Sequence, residues 1–393
     1  MNGAVPLSEH DGRDGSTAPA VRLAHRYLAE AVARRASDLH LEPAGDGLNV
    51  RIRVDGFLRS LAPPPAALVP ALLTRLRLMS SVDLAGRQLP QEGSFCLRTA
   101  TGSPVDVRAS FIPAHRGEKV VLRLLSRSRT ALGLDQLGLE CEQLCMLERA
   151  IAAADGLVLA VGPTGSGKST TLFAALTRLM RPDRSIVTVE DPVELEVQGA
   201  TQIGVDEAVG RDFATVLRAL LRQDPDVILI GEMRDRESAR IACRAALTGH
   251  LVLSTLHTAD SLEALTWLAD MGVPTHLITA TVRMIVAQRL LRRLCPACRT
   301  PRATKADERA LFRSLGLPEP SQLARPEGCE HCEGAGFVGR LAVFELLELG
   351  SRNSSDAVPC LPKSRSLLAA GLRAAARLQT DWSEVLARCP DAG

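Results

Sequence analysis

Gly162-Pro163-Thr164-Gly165-Ser166-Gly167-Lys168-Ser169 decides the reading of this chain. The octet satisfies the phosphate-loop pattern G-x-x-x-x-G-K-[ST] at every fixed position. On one side, apolar Leu157-Val158-Leu159-Ala160-Val161 predicts a buried strand; on the other, Thr170-Thr171-Leu172-Phe173-Ala174-Ala175-Leu176 predicts a helix. In that setting the glycines let successive backbone N–H groups converge on a polyphosphate at the positive end of the helix. Lys168 reaches the β/γ-phosphates and Ser169 offers its hydroxyl to Mg²⁺. The chain holds four lysines against 43 arginines, so a lysine where a compact point charge is needed is not a by-product of abundance.

The alternation of strand and helix continues around the octet. Strands are expected at 157–161, 186–189, 227–230 and 251–254, and helices at 140–153, 168–179, 212–222, 235–247 and 260–269. This is the pattern of a parallel sheet covered on both faces. Two strands run into carboxylates: Ile186–Val189 into Glu190, Asp191 and Glu194, and Val227–Ile230 through Gly231 into Glu232. Carboxylates at the carboxyl ends of parallel strands face the ligand crevice, although either segment alone also reads as a solvated acidic loop. His250 and His257 flank the strand Leu251–Ser254. A lone histidine near a strand end is usually structural, but His257 follows a third strand into the same crevice. Asp191, Arg234, Asp235 and Arg236 also read as surface ion pairs, each worth under about 1 kcal/mol.

Cys295-Pro296-Ala297-Cys298 and Cys329-Glu330-His331-Cys332 are two C-x-x-C knuckles separated by 30 residues. Four thiolates from two tight turns surround Zn²⁺ with no open position, which is the design of a structural site. His331 is a competing ligand, and a helix over Asp307–Ser314 is expected inside the insert. Cys96, Cys141, Cys145, Cys243, Cys360 and Cys389 have no paired spacing; Cys141 and Cys145 read as packed helix residues.

A length of 393 residues suggests two or three domains of about 150 residues each. The 46% hydrophobic and 23% charged content is that of a soluble globular protein. No run of about 18 apolar residues is present, and Met1–Ala20 lacks the apolar segment of a signal peptide, so a cytoplasmic location is expected. Net charge of +2 and 3% aromatic content disfavour nucleic acid as a partner. Residues 1–20 read as disordered. A small α/β domain is expected over 21–125: a helix over Val21–Arg35, a hairpin turning at Asp55-Gly56, a helix over Ala66–Met79 after Pro63-Pro64-Pro65, and strands at Ser94–Leu97, Val105–Ser110 and Lys119–Leu125. A linker over 126–137, beginning with the basic, serine-containing joint Ser126–Thr130, leads to the nucleotide-binding domain over 138–393, whose metal lobe spans 292–336.

In order, spacing and content, the octet, Thr188–Glu194, Asp224–Asp235, Thr248–Thr258 and the tetracysteine lobe resemble the secretion ATPases of type II secretion systems and type IV pilus assembly. The first domain agrees through Ala36–Pro43, Arg51–Gly56, Arg87–Gly93 and Gly117–Arg123. Gln288-Arg289-Leu290 and Phe337-Val338-Gly339-Arg340 look like that family's flanks of the zinc lobe. The resemblance runs from about Val21 to Leu347. It implies a RecA-like P-loop ATPase domain preceded by a small PAS-like α/β domain, assembled as a homohexamer with ATP bound between the two domains. It implies that the octet and Thr170 bind ATP with Mg²⁺, and that Glu194 is the general base. By the same resemblance Glu232 supports Mg²⁺ or the attacking water, His257 senses the γ-phosphate, and Arg108 and Arg123 reach the phosphates.

The function so implied is pseudopilus assembly for protein export, with inner-membrane platform proteins as partners and peripheral membrane association through them. Pilus extension is the neighbouring alternative. A nucleic-acid motor and a non-catalytic scaffold are more distant ones. Members of the family usually carry a further amino-terminal domain that docks on the platform, whereas about 20 residues precede the first helix here. Beyond Leu349 the resemblance fades, and Leu367–Leu378 reads as a generic amphipathic helix.

Overall fold

The computed structural model describes residues 5–6, 18–45, 47–99, 104–126, 132–349 and 361–389. They belong to two compact units, Met1–Thr130 and Ala131–Gly393. Most of the segment 1–20, most of the joint Ser126–Thr130, and the stretch Ser351–Asp356 with Cys360 lie outside the described residues.

In the first unit, β1 (Val5–Pro6), β2 (Asp38–Ala44), β3 (Gly47–Val54), β4 (Phe57–Leu61), β5 (Gln91–Arg98), β6 (Pro104–Ala114) and β7 (Gly117–Ser126) form one sheet in the order β1-β5-β6-β7-β2-β3-β4. Helices α1 (Pro19–Ala33) and α2 (Val69–Met79) share a single core with it. The helix α1 begins two residues earlier than expected because Pro19, with fixed φ and no N–H to satisfy, suits a first helical turn. Along β6, Val105, Val107, Ala109 and Phe111 are buried while Asp106, Arg108 and Ser110 take the other face. Asp55 and Gly56, at φ of 50° and 89°, make the β3–β4 turn with the positive pair that a two-residue hairpin requires.

The apolar face of α2 carries a charge that periodicity does not foretell. Arg77 is fully buried, its Nε 3.0 Å from Glu118 Oε2 and a second guanidinium nitrogen on Glu118 Oε1. It also donates to the Asp83 carbonyl at 2.6 Å and lies 5.2 Å from the centre of the Phe111 ring. With each of its three nitrogens hydrogen-bonded the burial is tolerable; losing one partner of such a pair costs about 3–5 kcal/mol.

The second unit is built on β8 (Gly156–Val161), β9 (Ile186–Glu190), β10 (Thr201–Gly204), β11 (Val227–Ile230), β12 (Leu251–Leu256) and β13 (Val282–Leu294), all parallel. A last strand, β16 (Phe337–Glu348), runs antiparallel to β13 in the order β10-β9-β11-β12-β8-β13-β16. Neighbouring residues of β8 enter opposite cores. Val158 and Ala160 pack with α3 (Cys141–Ala152) and α4 (Lys168–Leu179). Leu157, Leu159 and Val161 pack with α5 (Phe213–Leu220), α6 (Arg236–Leu247), α7 (Ser261–Asp270) and α8 (Thr275–Thr281). Because β8, β9, β11 and β12 are parallel, their carboxyl ends share one edge of the sheet.

Between β13 and β16 lies a lobe with β14 (Thr300–Ala303), α9 (Ala306–Ser314), β15 (Gln322–Arg325) and the two cysteine knuckles. Two helices of the carboxyl-terminal segment, α10 (Leu367–Ala376) and α11 (Trp382–Arg388), hold this lobe to the sheet. Trp382 stacks on Phe312, centroids 6.2 Å apart, and Arg292 pairs with Glu384 at 2.7 Å. The amphipathic helix expected over 367–378 is present as α10 and buries most of its residues, Leu367, Leu368, Leu372, Ala374 and Ala375 among them. Gly371 lets it approach α11, since a Cβ there would meet Val385 Cγ1 at 2.7 Å.

Candidate nucleotide site and metal centre

Since β8 ends at Val161 and α4 begins at Lys168, the octet is the turn between them. Gly162, Gly165 and Gly167 adopt φ of 147°, 78° and 95°, a region that favours glycine. The turn presents the first amides of α4 to one side, the arrangement that binds phosphate. Within it Ser166 Oγ is buried without a partner, an orphan that a phosphate oxygen would satisfy. Lys168 is buried too, and its Nζ donates to the carbonyls of Gly162 and Pro163 at 2.7 and 3.1 Å. Ser169 is exposed at the start of α4.

Burial, with Arg289 nearby, pushes the Lys168 ammonium down to about 8 against the opposing pull of Glu232. Above that pH the free protein holds the amine largely neutral, whereas bound phosphates favour the charged form. Nucleotide binding at about pH 9 is therefore expected to take up a proton through Lys168, and at about pH 6.5 to take up none there. Calorimetric titration in two buffers of different ionisation enthalpy measures the difference.

The strand ends bring four of the sequence candidates together. Asp191 accepts from Arg234 at 3.0 Å, the same guanidinium pairs with Glu232, and Glu232 Oε2 lies 3.3 Å from His257 Nε2. Arg234 thus joins the ends of β9 and β11 instead of making an isolated surface pair. Asp235 caps α6, accepting from Ser238 N at 2.8 Å. Glu190 is buried and accepts from Thr188 Oγ1 at 2.6 Å and Gln202 Nε2 at 2.9 Å, a structural role. His250 is structural as well, its Nδ1 3.0 Å from the Ala245 carbonyl. Glu194 lies exposed in the irregular stretch after β9, and among the described residues no ion pair joins it to the cluster.

In the first unit Arg108 and Arg123 face each other across β6 and β7, and Asp38 of β2 continues the row. Arg123 Nε donates to Asp38 Oδ1 at 3.2 Å. This row occupies the face of the sheet turned away from its core.

The four knuckle sulfurs lie within 4.8 Å of one another. Cys295–Cys329 are 3.9 Å apart, and Cys298–Cys332 and Cys329–Cys332 are each 3.7 Å apart. An ion bonded tetrahedrally to four thiolates at about 2.3 Å holds them about 3.8 Å apart, so the sulfurs stand where a metal ion needs them. Amides of Cys329 and Gly336 point at Cys332 Sγ from 3.2 and 3.1 Å. His331 is not in the group. Sequence reasoning places Gln288 and Arg289 only as a flank of this lobe, whereas the structure sets them against the phosphate loop.

A phosphate loop between a parallel strand and its helix, with acidic strand ends on the same edge, defines a P-loop ATPase. The chain belongs to the Type II/IV secretion system protein family, whose family model matches residues 13–379. It is 46% identical over 337 residues to the type II secretion system protein E of Dickeya dadantii (strain 3937), covering 86% of this chain and 66% of that protein. It is 44% identical over 335 residues to the type IV pilus assembly ATPase PilB of Myxococcus xanthus (strain DK1622), covering 84% of this chain and 59% of PilB. Among solved structures, the pilus retraction motor PilT with bound ADP is similar with a TM-score of 0.62 and 25% identity, over 93% of this chain and 96% of that one. The chain spans about two thirds of the first of these relatives and less of the second. Among the described residues no helix is long and apolar enough to cross a membrane.

Proposed function

We propose that this chain is a cytoplasmic, homohexameric ATPase, peripheral to the inner membrane, that hydrolyses ATP to drive pseudopilus assembly for protein export. The observation that carries the reading is Lys168, buried in a glycine-shaped loop with its Nζ on the Gly162 and Pro163 carbonyls. In this reading the loop amides hold the polyphosphate of ATP, and Lys168 exchanges its two carbonyl partners for β/γ-phosphate oxygens. Ser169 and Glu232 hold Mg²⁺, which supplies charge neutralisation on the phosphates. Glu194 orients and deprotonates the water that attacks the γ-phosphorus, and His257 reports the γ-phosphate through its contact with Glu232. Arg108 and Arg123 neutralise phosphate charge, a role typically worth about 10³–10⁵ in rate. Chemistry of this kind is positioning and charge neutralisation throughout.

The four cysteines hold Zn²⁺, whose closed coordination supplies rigidity and no reaction. Platform proteins of the inner membrane are the proposed partners, and nucleic acid is not. A second reading, type IV pilus extension, is favoured by the likeness to PilB. The purified chain is expected to release phosphate from ATP only with Mg²⁺ and to give a six-chain assembly in native mass spectrometry. A monomer inert toward Mg²⁺-ATP would refute the motor.

A further inference from the structure

One residue, 117 positions after Thr171, touches both ends of the phosphate loop. Gln288 of β13 is 2% exposed, and it stands next to the loop because Ala287 is the register partner of Val161, the last residue of β8. Its Oε1 accepts from Thr171 Oγ1 at 2.7 Å, one turn into α4. Its Nε2 lies 2.5 Å from where a Cβ on Gly167 would sit, and its backbone carbonyl oxygen lies 2.6 Å from the same position on Gly162. The first and last glycines of the loop are thus both packed against residue 288. Arg289 extends the contact: it donates to the Gln288 carbonyl at 3.0 Å and to the Ala259 carbonyl at 2.5 Å, two residues beyond His257.

We infer that Gln288 is a positioning residue of the nucleotide site, holding the junction of the phosphate loop with α4 in the shape that receives phosphate. The inference rests on the proposed nucleotide-binding role of the loop. Its physical basis is that loop amides discriminate phosphate only while their directions are fixed, and here a buried carboxamide fixes the junction with α4, in addition to the bonds from Lys168 to the Gly162 and Pro163 carbonyls. A buried hydrogen bond to a neutral hydroxyl contributes modestly on its own. Its leverage comes from where it acts, at the junction of the loop with α4, where the same carboxamide also packs on Gly167.

Two variants remove the bond with little change of volume, Gln288→Met from one side and Thr171→Val from the other. The probe is Mg²⁺ with a fluorescent methylanthraniloyl-ADP, and the melting temperature of each nucleotide-free protein is recorded alongside. Each single variant is expected to raise the ADP Kd about tenfold while the melting temperature moves by no more than about 4 °C, and the double variant to bind within about threefold of either single one. Single variants that bind within about twofold of the wild type, or a double variant whose loss is the product of the two, would overturn the inference while leaving the nucleotide site standing. A wild-type chain that does not bind the probe would overturn both. If Gln288→Met does not fold, Thr171→Val alone decides, since its side chain is the same size and leaves Gln288 in place.

Discussion

Stripping the tetracysteine metal, by a strong chelator or by Cys298→Ser, is expected to destabilise the lobe between β13 and β16 by on the order of 10 kcal/mol. Apart from Phe312, Leu315, Leu317 and Leu323, which are buried in the core of the second unit, the lobe has little else to fold around. Its own buried apolar cluster is Leu294, Ala324 and Phe337, with Leu378 packed against it, and its sheet has only the two strands β14 and β15. A two-stranded ribbon is marginal in water. Phe312 on Trp382 anchors the segment between the knuckles and Arg292 on Glu384 anchors its leading flank, but neither holds the two knuckles to each other. Metal analysis of the untreated protein should find one Zn²⁺ per chain, and limited proteolysis after chelation should cut within 296–336 while the sheet of the second unit stays protected. Absence of metal together with an unchanged cleavage pattern would refute the zinc assignment.

Lys168→Ala and Glu232→Gln are expected to fail in different ways. Lys168 is the cation of the loop, so its loss removes charge from both the bound nucleotide and the transition state; nucleotide affinity and turnover should both fall, turnover by at least about 10²–10³. Glu232→Gln keeps size and hydrogen bonding but removes the negative charge that the reading assigns to Mg²⁺ or the attacking water. Nucleotide affinity should stay within a few-fold while kcat falls by a similar factor. The variant also frees Arg234, which pairs with both Glu232 and Asp191, so a melting curve should accompany it. Equal turnover by Lys168→Ala and wild type would remove the loop from the mechanism.

How much of this was legible in the residues follows from how local each feature is. The bounds of α4 and β11 coincide with the expected 168–179 and 227–230, because a buried apolar run ending at glycine or charge is read within one window. The hairpin β13–β16 is not expected at all. Val282–Leu294 follows α8 with no turn residue between, and 42 residues separate it from its partner strand beyond the lobe. Arg77 with Glu118, and Thr171 with Gln288, are likewise pairs that only the fold assembles. The cysteine knuckles stand out because C-x-x-C spacing is itself the chemistry. Arg108 and Arg123 are the opposite case. Among 43 arginines nothing local marks them, and only the strand register sets them side by side. Glu194 rests on resemblance alone, having no partner in the cluster that its neighbours form.

The most direct test of the proposed role is the extracellular protein profile of a host lacking this gene, complemented with the wild-type chain or with Lys168→Ala. An ATP-driven export motor predicts that secretion is lost with the gene, restored by the wild-type chain and not restored by Lys168→Ala. An unchanged profile in the deletion strain, or equal restoration by both chains, would contradict it, and a loss of surface pili in that strain would move the assignment to pilus extension.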